Sequence, residues 1–138
     1  MGRILSIDYG LRRTGLAVTD PLKIIATGLE TVETPQLITY LTNYFKKEQV
    51  EEVVIGMPKR LNNEDSEIAP QVKKFVAQFK TAFAGKPIFL ADERFTSAMA
   101  HRAMIEGGMK KKDRQVKGNV DKISATLILQ SYLESRRP

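Results

Sequence analysis

The hydrophobic period of this chain first changes at Thr34-Pro35, and that change restricts the possible folds more than any other feature. Before it lie three short β-type runs. Residues 3–8 stop at Tyr9-Gly10, residues 15–19 stop at Asp20-Pro21, and residues 24–32 follow. Short, β-rich runs separated by such turns predict a meander of antiparallel strands, the first two forming a hairpin. After the change, Leu37, Ile38, Leu41, Tyr44 and Phe45 recur at helical spacing. A threonine cap with proline in the first helical position is the expected start of that helix.

Strand and helix patterns then alternate. Residues 50–56 read as a buried strand broken by Gly56-Met57-Pro58, and residues 59–65 as a loop. Ile68, Val72, Phe75, Val76 and Phe79 mark a second amphipathic helix, and residues 87–91 a fifth strand ending at Asp92-Glu93. Thr96 or Ser97 is placed to cap a helix reaching about Glu106. Residues 107–118 are polar, glycine-flanked and basic, which predicts a mobile loop. Val120, Ile123, Leu127 and Ile128 line a last helix, with Asn119 as its expected cap. This order predicts an α/β fold: one domain over residues 1–138, built on a mixed five-stranded sheet. Three antiparallel N-terminal strands precede parallel ones, and helices cover both faces.

Composition narrows the chemistry. The chain has 138 residues and a formal net charge of +6, without a single cysteine and with one histidine. Disulfides, zinc-thiolate sites and thiol catalysis are excluded, and a cytoplasmic address fits. No apolar run approaches a membrane span, and residues 1–8 lack the pattern of a secretory signal. No membrane partner is expected. Excess positive charge favours nucleic acid, and it is concentrated: Lys110, Lys111, Lys112, Arg114 and Lys117 face only Asp113 within residues 107–118.

Against this background, carboxylates stand at element ends. Asp8 closes the first strand, sharing a face with Ile4 and Ser6 by the two-residue period. Asp92 and Glu93 close the fifth strand, and because consecutive strand residues point to opposite faces only one of them readily joins Asp8. Asp121 falls in the expected first turn of the last helix. Each has a structural reading as well: a turn aspartate at Asp8, an acceptor for Arg94 in the pair, a helix-dipole partner at Asp121. Together they suit a hard divalent cation, Mg²⁺ or Mn²⁺, which binds through a few carboxylates and substrate phosphates. Metal-assisted phosphodiester hydrolysis follows as the expected chemistry, since no protein nucleophile is needed. His101, within a predicted helix, lacks a nucleophile partner and is read as a surface or packed residue.

Arg12, Arg13, Lys59, Arg60 and Arg94, with Lys110, Lys111 and Lys112, are the expected phosphate contacts. Lys46, Lys47, Lys73 and Lys74 sit on amphipathic helices and are read as solvated. Few aromatics occur in these loops beyond Tyr9 and Phe95, so a base-stacking platform for single strands is not expected.

The ordered motifs carry a family resemblance. Residues 8–18 (Asp8-Tyr9-Gly10-Leu11-Arg12-Arg13-Thr14-Gly15 and on to Val18), Ile55-Gly56-Met57-Pro58, Asp92-Glu93-Arg94-Phe95-Thr96-Ser97 and Asp121-Lys122-Ile123-Ser124-Ala125, with Leu129-Gln130-Ser131-Tyr132-Leu133, resemble the YqgF or RuvX family over nearly the whole chain. The resemblance implies an RNase H-like fold grouping with Holliday-junction resolvases, and a nuclease role in maturing the 5′ end of 16S ribosomal RNA. By position it implies Asp8, Glu93 and Asp121 as the catalytic and metal-binding acids. Thr14 and Ser124 stand where the family often has an aliphatic residue and an alanine. Structured RNA or branched DNA, in a ribosomal pre-particle or a recombination intermediate, is the implied partner. Monomer and dimer stay open. A resolvase of DNA junctions and a non-cleaving assembly factor are the alternatives. An actin-like ATPase or sugar kinase shares the first hairpin but needs a second domain that 138 residues do not supply.

Overall fold

The computed structural model describes residues 2–57, 69–92 and 117–136. Five strands form one sheet: β1 (Arg3–Asp8), β2 (Arg13–Thr19), β3 (Ala26–Glu33), β4 (Val50–Met57) and β5 (Ile88–Asp92), in the order β3-β2-β1-β4-β5. β1 pairs antiparallel with β2, and β2 with β3, whereas β1 and β4, and β4 and β5, run parallel. The expected mixed sheet is therefore present. Its parallel half has a functional consequence: β1, β4 and β5 all finish at the same edge.

Helices α1 (Leu37–Lys47), α2 (Ala69–Ala82) and α3 (Lys117–Arg136) flank it. The sheet's side chains divide between two cores. Leu5, Ile7, Leu16, Val53 and Ile55 pack with Leu41, Phe75 and Phe79 of α1 and α2. Ile4, Ala17 and Val54 pack on the other face with Ala125, Ile128 and Leu129 of α3. Burying each such side chain contributes roughly 1.5–3 kcal/mol, so both faces are needed to hold so small a sheet.

Three local expectations are corrected. Thr34 does not cap α1: residues Thr34–Gln36 form a 3-10 turn, and the residue preceding it, Glu33, makes no side-chain cap bond. The Thr34 hydroxyl donates instead to the Gly10 carbonyl, 2.5 Å away. A tertiary partner has taken the place of the local N–H that a cap would accept from. At the other end of the chain α3 begins at Lys117, so Asn119 lies inside the helix and Asp121 beyond its first turn. Lysine is a good helix former, and the helix extends back through it into the basic stretch. β2 begins at Arg13, two residues before the expected start at Gly15. Its ladder with β3, Arg13↔Glu33 and Thr14↔Val32, draws those two residues into the sheet. The loop 59–65, the helix to Glu106 and His101 lie outside the described residues.

Candidate active edge

Asp8 ends β1 opposite Gly15 of β2 and is half-buried. Strand alternation puts it on the α3 face, with Ile4 and Ser6. Ser6 is fully buried, and its hydroxyl donates to the Ala125 carbonyl of α3 at 2.6 Å. That bond joins the strand two residues before Asp8 to the helix one turn after Asp121. Further along, the Tyr132 hydroxyl donates to the buried Glu52 carboxylate at 2.9 Å, and its ring stacks on Phe89 at 6.1 Å. Near the helix start, a Cβ on Gly28 of β3 would come within 3.6 Å of Lys122 and Thr126. Helix α3 thus crosses the sheet obliquely, from β3 to β5, over the face that carries Asp8.

The turn after Asp8 is tied down by a closed ring of hydrogen bonds. The Gly10 N–H donates to the Thr14 hydroxyl at 3.5 Å, and Thr34 donates to the Gly10 carbonyl. The two threonine oxygens are 3.0 Å apart. Since Thr34 has spent its one proton on Gly10, Thr14 is the donor between them. The Thr34 N–H also donates to the Arg12 carbonyl at 2.9 Å. Gly10 itself has no room for a side chain, because a Cβ there would sit 2.2 Å from the Arg13 carbonyl oxygen. Nothing in the local sequence links Thr34 to a turn 24 residues earlier. Thr14, fully buried, sits between Arg13 and Gly15, and no local signal marks its part in the ring.

Of the expected phosphate contacts, Arg12 and Arg13 are exposed on this hairpin, Arg13 as the first residue of β2. Lys59, Arg60, Arg94 and Lys110, Lys111 and Lys112 lie outside the described residues, as does Glu93. On β5, Ala91 packs in the α3-side core with Ile4 and Val54, two residues before Glu93 in sequence. Asp92 pairs with Met57 in the ladder. Among the described residues no three His, Cys, Asp or Glu side chains gather as a metal site, and of the three expected acids only the side chain of Asp8 is among them.

Comparison with known proteins bears on this arrangement. A Bacteroides fragilis protein named "Putative pre-16S rRNA nuclease" is 55% identical over 137 residues, covering 99% of both chains. A Flavobacterium johnsoniae protein of the same name is 53% identical with the same coverage. Among solved structures, the fowlpox virus resolvase in complex with Holliday junction DNA superimposes with a TM-score of 0.60 at 12% identity, covering 96% of this chain and 97% of the other. Thermus thermophilus RuvC with its Holliday junction substrate gives 0.58 at 20% identity, covering 99% and 96%. These likenesses establish an RNase H-like fold. The family model described as "RuvX: Holliday junction resolvase" matches residues 2–135, and with relatives this similar along their full length the chain belongs to the RuvX family.

Proposed function

We propose that this protein is a divalent-metal-dependent endonuclease that processes the 5′ end of pre-16S rRNA, with Asp8, Glu93 and Asp121 as its acids. The Ser6–Ala125 hydrogen bond carries the reading, because it joins the strand ending in Asp8 to the helix bearing Asp121 on one face of the sheet. Ala91 faces the same way, and continued alternation would turn position 93, rather than 92, toward Asp8. The donor set fits a hard cation: carboxylate oxygens only, in a chain without cysteine. Asp8, Glu93 and Asp121 would hold one or two Mg²⁺ or Mn²⁺ ions, which would supply hydroxide from water and offset charge on the scissile phosphate. The chain's own contribution is positional. The β1 ladder and the Gly10 ring hold Asp8, and the exposed Arg12 and Arg13 offer guanidinium groups to the backbone phosphates, joined in this reading by Lys59, Arg60, Arg94 and the lysines at 110–112.

The relatives' name supports rRNA as the substrate. The family's description supports a second reading, resolution of DNA junctions. Cleavage of pre-16S rRNA, a four-way DNA junction and plain duplex in Mg²⁺ or Mn²⁺ separates the two. Asp8→Asn, Glu93→Gln and Asp121→Asn are each expected to lower cleavage on the order of 100-fold or more while binding persists. Cleavage that survives Asp8→Asn and Asp121→Asn would overturn the metal-site reading, and binding without cleavage by the wild type would make the protein an assembly factor.

A further inference from the structure

Asp8 and Tyr9 are consecutive, yet they serve opposite faces of the sheet. Asp8 belongs to the α3 face, whereas the Tyr9 ring packs on Phe75 of α2, with centroids 5.2 Å apart. Beside Tyr9 a cavity of about 360 Å³ opens among Leu11, Pro35, Ile38, Phe75 and Gln78. Tyr9, Leu11, Pro35, Ile38 and Phe75 supply apolar and aromatic side chains and Thr34 and Gln78 polar ones, and more of the open lining surface is polar than apolar. Among the described residues no carboxylate lines it. Leu11, one of its lining residues, is 63% exposed and open to contact by a ligand. The next residue along the hairpin is the exposed Arg12.

We propose that this cavity receives one unpaired nucleobase of the strand whose phosphate lies at Asp8, an inference that rests on the nuclease reading. Three features favour that occupant. A planar aromatic face beside an amide suits a base, which stacks through its π-face and hydrogen-bonds through its edge. The arginines of the same hairpin and the net charge of +6 suit a polyanion over an apolar peptide. Asp8 and Tyr9 are consecutive at the end of β1, so the proposed phosphate site and the cavity lie on the two sides of one strand end. The pocket takes a single base, compatible with the scarcity of loop aromatics that argues against a longer stacking platform.

The test is binding in metal-free buffer, so that its outcome is independent of cleavage. Wild-type protein is titrated with a fluorescein-labelled single-stranded hexanucleotide and with the same strand made abasic at its central positions. The base-bearing strand is expected to bind about tenfold tighter, the loss seen when a base–aromatic stack is removed. Only that strand should shift the Leu11 and Ile38 methyl resonances. Tyr9→Phe should retain the preference and Tyr9→Ala abolish it. Equal affinity for both strands, or a preference whose methyl shifts lie elsewhere, would overturn the proposal even if the enzyme cleaves RNA. A base preference located at Tyr9 in a protein that never cleaves would sustain the pocket and sink the nuclease.

Discussion

The Ser6 hydroxyl and the Ala125 carbonyl meet at 2.6 Å in a fully buried contact between residues 119 positions apart. Two elements that are each proposed to bear an acid are thereby registered against one another. Ser6→Ala removes this bond without adding bulk. Stability should fall by about 1 kcal/mol, the net worth of an intramolecular hydrogen bond. Urea denaturation should show a lower midpoint at an unchanged slope. Cleavage should fall several-fold at temperatures where the variant remains folded, and full activity there would show that α3 is positioned by packing alone.

Gly10 and Gly85 make opposed predictions from the same substitution. An alanine Cβ at Gly10 meets the Arg13 carbonyl oxygen at 2.2 Å, so the hairpin must move. Gly85 has φ +88° and open space around it, so alanine there incurs only backbone strain, about 1 kcal/mol. Gly10→Ala should cost at least about 2 kcal/mol and disable the site with it. Thermal denaturation of the two variants side by side checks the order.

Thr14 faces the α1 and α2 side, fully buried, with its hydroxyl in the ring that clamps Gly10. Thr14→Val keeps the shape but leaves the Gly10 N–H and the Thr34 oxygen without that partner. A loss of about 1–2 kcal/mol is expected. Thr14→Ser should restore most of it, and equal stability of the valine and serine variants would show that the ring is dispensable.

Acid should loosen the β2–β3 turn. The Asp20 carboxylate accepts from the N–H groups of Ile25 at 2.8 Å, Ile24 at 2.9 Å and Leu22 at 3.1 Å. These bonds, that from Ile25 foremost, together outweigh the opposing effect of desolvation and hold its pKa below the ordinary 3.8. A folded-state pKa below the unfolded one stabilises the fold above the unfolded value, and this contribution disappears as pH falls through the folded one. Wild type should therefore lose more stability than Asp20→Asn between pH 6 and the region below 3.8, as measured by denaturation midpoints at stepped pH. Parallel losses would assign the acid sensitivity to other groups.

Arg12 lies exposed beside the active edge. If it contacts one phosphate, Arg12→Ala should weaken binding to every nucleic acid alike. The slope of log affinity against log salt should become shallower by about 1. An unchanged slope would remove Arg12 from the interface.

Much of this fold is legible in the amino-acid sequence. The switch of period at Thr34 predicted three antiparallel strands before the α/β units, and β1 through β5 follow that order because each strand's signal lies within its own few residues. Helices α1 and α2 fared likewise, since residues such as Val72, Phe75 and Phe79 repeat at a spacing that only a helix brings to one face. Helix ends were less legible: Thr34 looked like a cap, and Asn119 like a start. A cap residue's signal is one weak local bond, easily outbid by a tertiary acceptor such as the Gly10 carbonyl.

By itself, then, the amino-acid sequence determined the elements, the two-faced alternation of the sheet and the placing of Asp8 at a strand end, all consequences of interactions within a turn or two of chain. Only the tertiary structure decided that α3 lies across the Asp8 face through Ser6 and Ala125, that Thr14 and Thr34 close around Gly10, and that Tyr9 opens a cavity on the far side. Those outcomes depend on contacts between residues 20 to 119 positions apart, where sheet register and core packing, and no local period, choose the partner.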